Sequence, residues 1–176
     1  MPERLFSLPH GIRTGVVAIT ITVTLCLVNY MILQKERIVK QGETVLLSLA
    51  PRDPRSLLQG DYMALRYTIT ADVDKAARAA KVNDGYIVIE LSDQGEAGFV
   101  ALYTGQPLMQ GQRLLRFRKR GLSVRLASDA YFFEEGQWDV YAQARFGELK
   151  VSADGEAVLV GLRDDNRERL GQPLFR

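Results

Sequence analysis

Residues 15–33 (GVVAITITVTLCLVNYMIL) carry no formal charge, and this run constrains the chain more than any other feature of it. At 1.5 Å per residue a helix of that length spans roughly 28 Å, the hydrocarbon thickness of a bilayer. Arg13 stands before the run and Lys35 and Arg37 after it. A cleaved signal peptide has a shorter apolar core and ends in a small-x-small site; here the run leads into Asn29-Tyr30-Met31-Ile32-Leu33-Gln34-Lys35 with no such site. A buried core helix would show a polar face, whereas only Thr20, Thr22, Thr24 and Asn29 interrupt the run. Threonine hydroxyls can bond back to helix carbonyls and are tolerated in lipid. Asn29 reads either as a residue near the interface or as a hydrogen-bonding group for a neighbouring transmembrane helix. The expectation is a short tail over residues 1–14, a transmembrane helix over 15–34 and a juxtamembrane exit over 35–42.

Of 176 residues, roughly 135 follow the anchor, enough to bury a core without disulfide or metal staples. Residues 41–176 carry 18 Lys/Arg against 19 Asp/Glu, so the net charge of +2 comes from the membrane flanks. That balance argues against a nucleic-acid binder, which would be strongly basic. The single cysteine, Cys26, lies in the apolar run and the single histidine, His10, precedes it. A Cys/His zinc site in the water-facing part is thereby excluded, as are internal disulfides.

The patterning of residues 43–163 predicts a β-rich domain. Residues 43–50 (ETVLLSLA) read as a first strand ended by Pro51, and residues 62–70 (YMALRYTIT) as a second with Met63, Leu65, Tyr67 and Ile69 on one face. Asp72 is placed to cap a short alanine-rich helix through Lys81. Residues 85–91, 98–104 and 113–119 then read as a meander separated by turns. Residues 146–152 and 156–163 flank Ala153-Asp154-Gly155, an Asp-Gly hairpin signal. Residues 131–145 have Trp138, Tyr141 and Ala142 at helical spacing, and residues 164–176 read as a charged, frayed tail. The expected fold class is mainly β (α+β): one N-terminal transmembrane helix, then a mixed or partly open β-sheet or barrel with one or two short helices.

The most distinctive stretch is DPRSLLQGDYMALRY, residues 53–67, in which Gly60-Asp61-Tyr62, Leu65 and Tyr67 spell out GDYxxLxY. With the DPRSLL approach and the block over residues 131–162 (AYFFEEGQWDVYAQARFGELKVSADGEAVLVGL), the chain resembles the GDYXXLXY family over most of its water-facing part. The resemblance implies a membrane-anchored protein of undetermined biochemistry, encoded beside polytopic membrane proteins. It also implies a cytoplasmic N-terminus and an extracytoplasmic domain, periplasmic in a Gram-negative cell; the flanking charges alone tie. Read from the residues, Gly60-Asp61 supplies a tight entry turn to a strand. The functional alternative is a polar patch of Asp53, Arg55, Gly60, Asp61, Tyr62 and Tyr67 on which a partner or ligand docks.

A second resemblance is to signal peptidase I, through Leu57-x-x-Gly60-Asp61. The position of that family's nucleophilic serine is occupied here by Arg52, Ser56 falls at its usual threonine, and no lysine is placed to act as base, so a non-catalytic scaffold is the most it implies. Glu134, Glu135 and Asp139 read as solvated acids before a hydrolase or calcium site. The basic run of Arg113, Arg116, Arg118, Lys119, Arg120 and Arg125 reads as a hairpin about Gly121, with Leu115 and Phe117 inward and Arg116 and Arg118 in water. Contact with anionic lipid or an acidic partner is its alternative role; its lack of stacking aromatics argues against nucleic acid. The expectation is thus an accessory protein without catalysis or cofactor, working with the bilayer and a polytopic membrane protein, with a small-molecule or lipid ligand left open. The enzyme alternative is an envelope hydrolase using carboxylates such as Asp61 and Glu134.

Overall fold

The computed structural model describes residues 10–50, 62–121 and 123–172. The chain divides into two compact units, Met1–Arg37 and Ile38–Arg176.

The first unit is dominated by α1, a helix whose full extent is His10–Gln41. It is long and apolar enough to cross a membrane, and its apolar side chains from Ile12 to Leu33 are exposed. A core helix would have buried them. Each interrupting threonine is satisfied within the helix. Thr20 Oγ1 donates to the Val16 carbonyl at 2.9 Å, Thr22 to Ala18 at 2.9 Å and Thr24 to Thr20 at 2.8 Å, so these residues add no unpaired hydroxyl donor to the helix surface.

The second unit is mainly β. Its elements are β1 (Glu43–Ser48), β2 (Tyr62–Ala64), α2 (Thr70–Ala80), β3 (Asp84–Leu91), β4 (Ala97–Leu102), β5 (Gln112–Arg120), β6 (Ser123–Arg125), β7 (Ala130–Phe132), α3 (Trp138–Tyr141), β8 (Phe146–Val151), β9 (Ala157–Arg163) and β10 (Arg169–Leu170). They form a four-stranded sheet β1-β8-β9-β10, a second of order β4-β3-β5-β6 and a β2-β7 ribbon. All named strand pairs are antiparallel. β1 stitches these pieces together: the Leu46 N–H donates to the Gly95 carbonyl beside β4, and Ala50 N–H to the Arg66 carbonyl after β2. The result is a partly open, barrel-like arrangement around one core that includes Val45, Leu47, Val73, Ile87, Leu115, Phe117 and Leu149. Val45–Leu47 of β1 and Ile87–Ile89 of β3 are buried without alternation, as strands covered on both faces must be. β5 alternates, with Leu115 and Phe117 inside.

Three expectations are corrected. The strand over residues 62–70 stops at Ala64, because residues 66–68 turn to bond with Ser48 and Ala50 of the first sheet's margin. Met63, Leu65, Tyr67 and Ile69 are nevertheless all buried. Asp72 does not cap α2, which starts two residues earlier at Thr70; the Thr70 hydroxyl and N–H both donate to the Tyr67 carbonyl, and Asp72 lies in the first turn. The C-terminal residues through 172 are not frayed. Asp164 closes a turn by accepting from the Glu168 N–H at 2.8 Å, and Arg169–Leu170 pairs with β9 as β10.

The hairpin over Asp154-Gly155 forms as a three-residue loop: the Ser152 N–H donates to the Glu156 carbonyl and the Gly155 N–H to that of Ser152. Gly155 has φ of +84°, and a Cβ there would lie 2.9 Å from the Tyr86 ring and 3.0 Å from Leu114. Its carbonyl accepts the Arg116 N–H at 2.8 Å, docking the hairpin on the second sheet. Gly155→Ala therefore meets both left-handed strain and a close contact, and a loss of about 1–3 kcal/mol is expected in chemical denaturation. A loss below about 0.5 kcal/mol would mean that the loop relaxes freely.

Candidate functional site

Of the residues singled out from sequence, Asp53, Arg55, Gly60 and Asp61 lie outside the described residues. Tyr62 and Tyr67 are described, and the structure sends them to opposite faces of one chain segment. Tyr67 is 2% exposed, with its hydroxyl donating to the Ser128 carbonyl at 3.1 Å. Its ring lies on β8, where a Cβ on Gly147 would come within 2.8 Å of it. Burial, and then the charge of Asp129, push the Tyr67 phenol far above its ordinary pKa, so it stays neutral. Leu65 is also buried, and its N–H donates to the Asp129 carbonyl at 2.7 Å. Leu65 and Tyr67 together clip the loop before β7 onto the core.

The family model of the GDYXXLXY protein matches residues 24–162, a span containing both of these buried motif positions. The chain belongs to the GDYXXLXY family. No curated protein and no solved structure matches it.

In this GDYXXLXY protein the other side of the motif segment faces outward. Tyr62 is 40% exposed and stands across the β2-β7 ribbon from Phe132, which is 68% exposed, their ring centroids 5.7 Å apart. Arg66, two alternations along the same segment, is also exposed. Beside this face opens a cleft of about 470 Å³, lined by motif residues Ala64 to Tyr67, by Thr70 and Asp74 of α2, by β6 and by Asp129. Its two carboxylates are both engaged. Asp129 holds Arg125 at 2.7 Å, and Asp74 holds Arg78 at 2.7 Å and Lys119 at 2.8 Å. Hydrogen bonds from Lys119 and Arg78 keep the Asp74 carboxyl below the usual carboxylate range. A carboxylate held ionised in this way is suited to fixing cations rather than to giving up a proton near neutral pH.

The basic run forms the expected β5-β6 hairpin, with Leu115 and Phe117 buried and Arg118 exposed. Ion pairs lace this face: Arg113 pairs with Glu43, Arg116 with Glu156, Lys119 with Asp74 and Arg125 with Asp129. Partners as far off in sequence as Glu43 could not be read from the run itself. Glu134 accepts from Gln137 at 3.1 Å. Among the described residues no group of three or more His, Cys, Asp or Glu is placed to hold a metal.

Sequence reading missed the most heavily bonded carboxylate of the described domain. Glu148 in β8 is 2% exposed and receives forked bonds from two arginines. Arg163 donates from Nε and a terminal nitrogen at 3.0 Å each, and Arg169 of β10 from the same pair of atoms at 2.9 and 2.5 Å. Gly161, opposite Glu148 on β9, leaves room for this: a Cβ would sit 3.4 Å from the carboxylate and 3.5 Å from Arg169 Nε. Burial acts to raise the Glu148 pKa, but the bonds from Arg169 and Arg163 outweigh it and hold the carboxyl below its ordinary value. The available signal was a lone glutamate between apolar residues in FGELKV, which a covered strand tolerates only when it is paired.

Proposed function

We propose that this GDYXXLXY protein is a single-pass membrane protein whose β-rich domain docks, outside the cytoplasm, on a polytopic membrane protein and catalyses no reaction itself. The observation that carries the reading is the outward Tyr62–Phe132 pair with Arg66 beside it. Two large aromatic side chains in water have no role in the core, and Tyr, Phe and Arg are the types enriched where proteins meet. The motif thus divides its labour: Leu65 and Tyr67 fasten the ribbon, and Tyr62 is presented on it. Support for anchoring comes from α1, whose apolar surface is exposed throughout the span.

The test is purification of the full chain from its native membrane in mild detergent, alongside a Tyr62→Ser/Phe132→Ser variant. Wild type is expected to bring a membrane protein with it in stoichiometric amount, and the variant to retain about tenfold less while keeping its circular dichroism. Wild type emerging alone even after crosslinking, or a variant that retains the partner fully, defeats the reading.

A further inference from the structure

Thr20, Thr22 and Thr24 of α1 bond to their own helix, but Asn29 is only partly satisfied. Its Nδ2 donates to the Leu25 carbonyl at 2.9 Å, leaving the second N–H and Oδ1 without a partner among the described residues. Asn29 stands five positions from Thr24, the middle of the uncharged run. That puts it about 7.5 Å from the midplane of a membrane whose apolar half-thickness is about 15 Å, inside the hydrocarbon and not at its edge. A donor and an acceptor left open at that depth cost free energy until another polar group meets them.

We infer that α1 pairs with a second copy of itself through Asn29. The inference rests on the membrane-anchored reading above. A second copy fits because Asn29 keeps an N–H donor and a carbonyl acceptor open, so two such amides related by a two-fold axis can each donate to the other. The side of that face toward the N-terminus favours close approach. At 100° per residue, Ala18 and Thr22 fall within about 20° of Asn29 and Gly15, Leu25 and Leu33 border the face at about 40°, whereas Val16, Val23 and Leu27 lie on the opposite side. The Thr22 hydroxyl is already bonded, so that face brings no further open donor to the contact.

The single cysteine makes the test direct. In native membranes, full-length chains on a Cys26→Ser background carry Thr22→Cys on the Asn29 side, or Thr20→Cys or Leu27→Cys on the far side, and are oxidised. A species of twice the chain mass is expected from Thr22→Cys several times more strongly than from the other two. Adding Asn29→Leu, which leaves the helix more apolar, is expected to reduce it about five- to tenfold. Equal yields at the three positions, an undiminished yield in Asn29→Leu, or crosslinks only to a different protein would overturn the inference. Alkaline carbonate extraction separates the two levels: a chain retained in the membrane without the doubled species overturns the pairing alone, and a chain released from it overturns the anchoring reading.

Discussion

Replacing Glu148 with alanine is expected to cost about 3–5 kcal/mol, because two partly buried arginine guanidiniums would lose the carboxylate that neutralises them. Unfolding of the detergent-solubilised chain, followed by the fluorescence of its single tryptophan, Trp138, measures this. The reason is the asymmetry of buried charge. The carboxylate is 2% exposed and is held by Arg163 and Arg169; removing it strands both, whereas removing all three charges does not. Glu148→Leu with Arg163→Met and Arg169→Met should accordingly recover most of the loss. The same geometry sets a pH dependence. The folded Glu148 carboxyl lies below its ordinary value, so the folded state binds fewer protons than the unfolded one in the acid range. The stability it contributes is present above the unfolded pKa, about 4.3, and is lost as pH falls through the depressed folded value. Asp74 is shifted in the same direction and adds to the trend. Wild-type melting temperature should thus fall steeply below about pH 4, and less steeply in Glu148→Gln. Equal slopes, or an alanine variant as stable as wild type, would show that the triad contributes nothing.

Tyr67→Ala should be nearly as damaging, at about 3–5 kcal/mol, since it empties a core site closed by Gly147 and removes the tether to the Ser128 carbonyl. Tyr67→Phe keeps the ring and loses one hydrogen bond, and about 1 kcal/mol is expected. Tyr62→Ala, on the exposed side of the same motif, should change stability by less than about 0.5 kcal/mol. Denaturant titration of the three variants distinguishes the fastening residues of the motif from the presented one. If Tyr62→Ala destabilised as much as Tyr67→Ala, the exposed aromatic pair would be a structural element and lose its standing as a docking face.

Local chemistry made parts of this fold legible in advance. The apolar run announced a helix whose threonines would bond inward, and they do. Alternation in YMALRYTIT marked Met63, Leu65, Tyr67 and Ile69 for burial even though the strand itself proved short. Ala153-Asp154-Gly155 marked a hairpin, since left-handed backbone calls for glycine. Such features depend on neighbours within a few residues, so pattern and propensity suffice to read them. The motif was legible as a family signature and as a strand entry, but not as two faces with different tasks.

What pattern could not supply were pairings made across the chain. Arg113 and Glu43 are 70 residues apart in sequence, and Tyr67 and Ser128 are 61 apart. The tail from Asp164 looked unstructured because its charges have no local partners; it is ordered through residue 172 with Arg169 closing on Glu148, 21 residues away and across β9. By itself, the sequence determined the membrane-spanning capacity of α1, the β-rich character of the rest and the family to which the chain belongs, because each is written in runs and spacings along the chain. Only the tertiary structure decided which charges neutralise which, which tyrosine of the motif is core and which is surface, and where a buried glutamate finds its arginines, because burial and hydrogen bonding depend on residues brought together from distant positions.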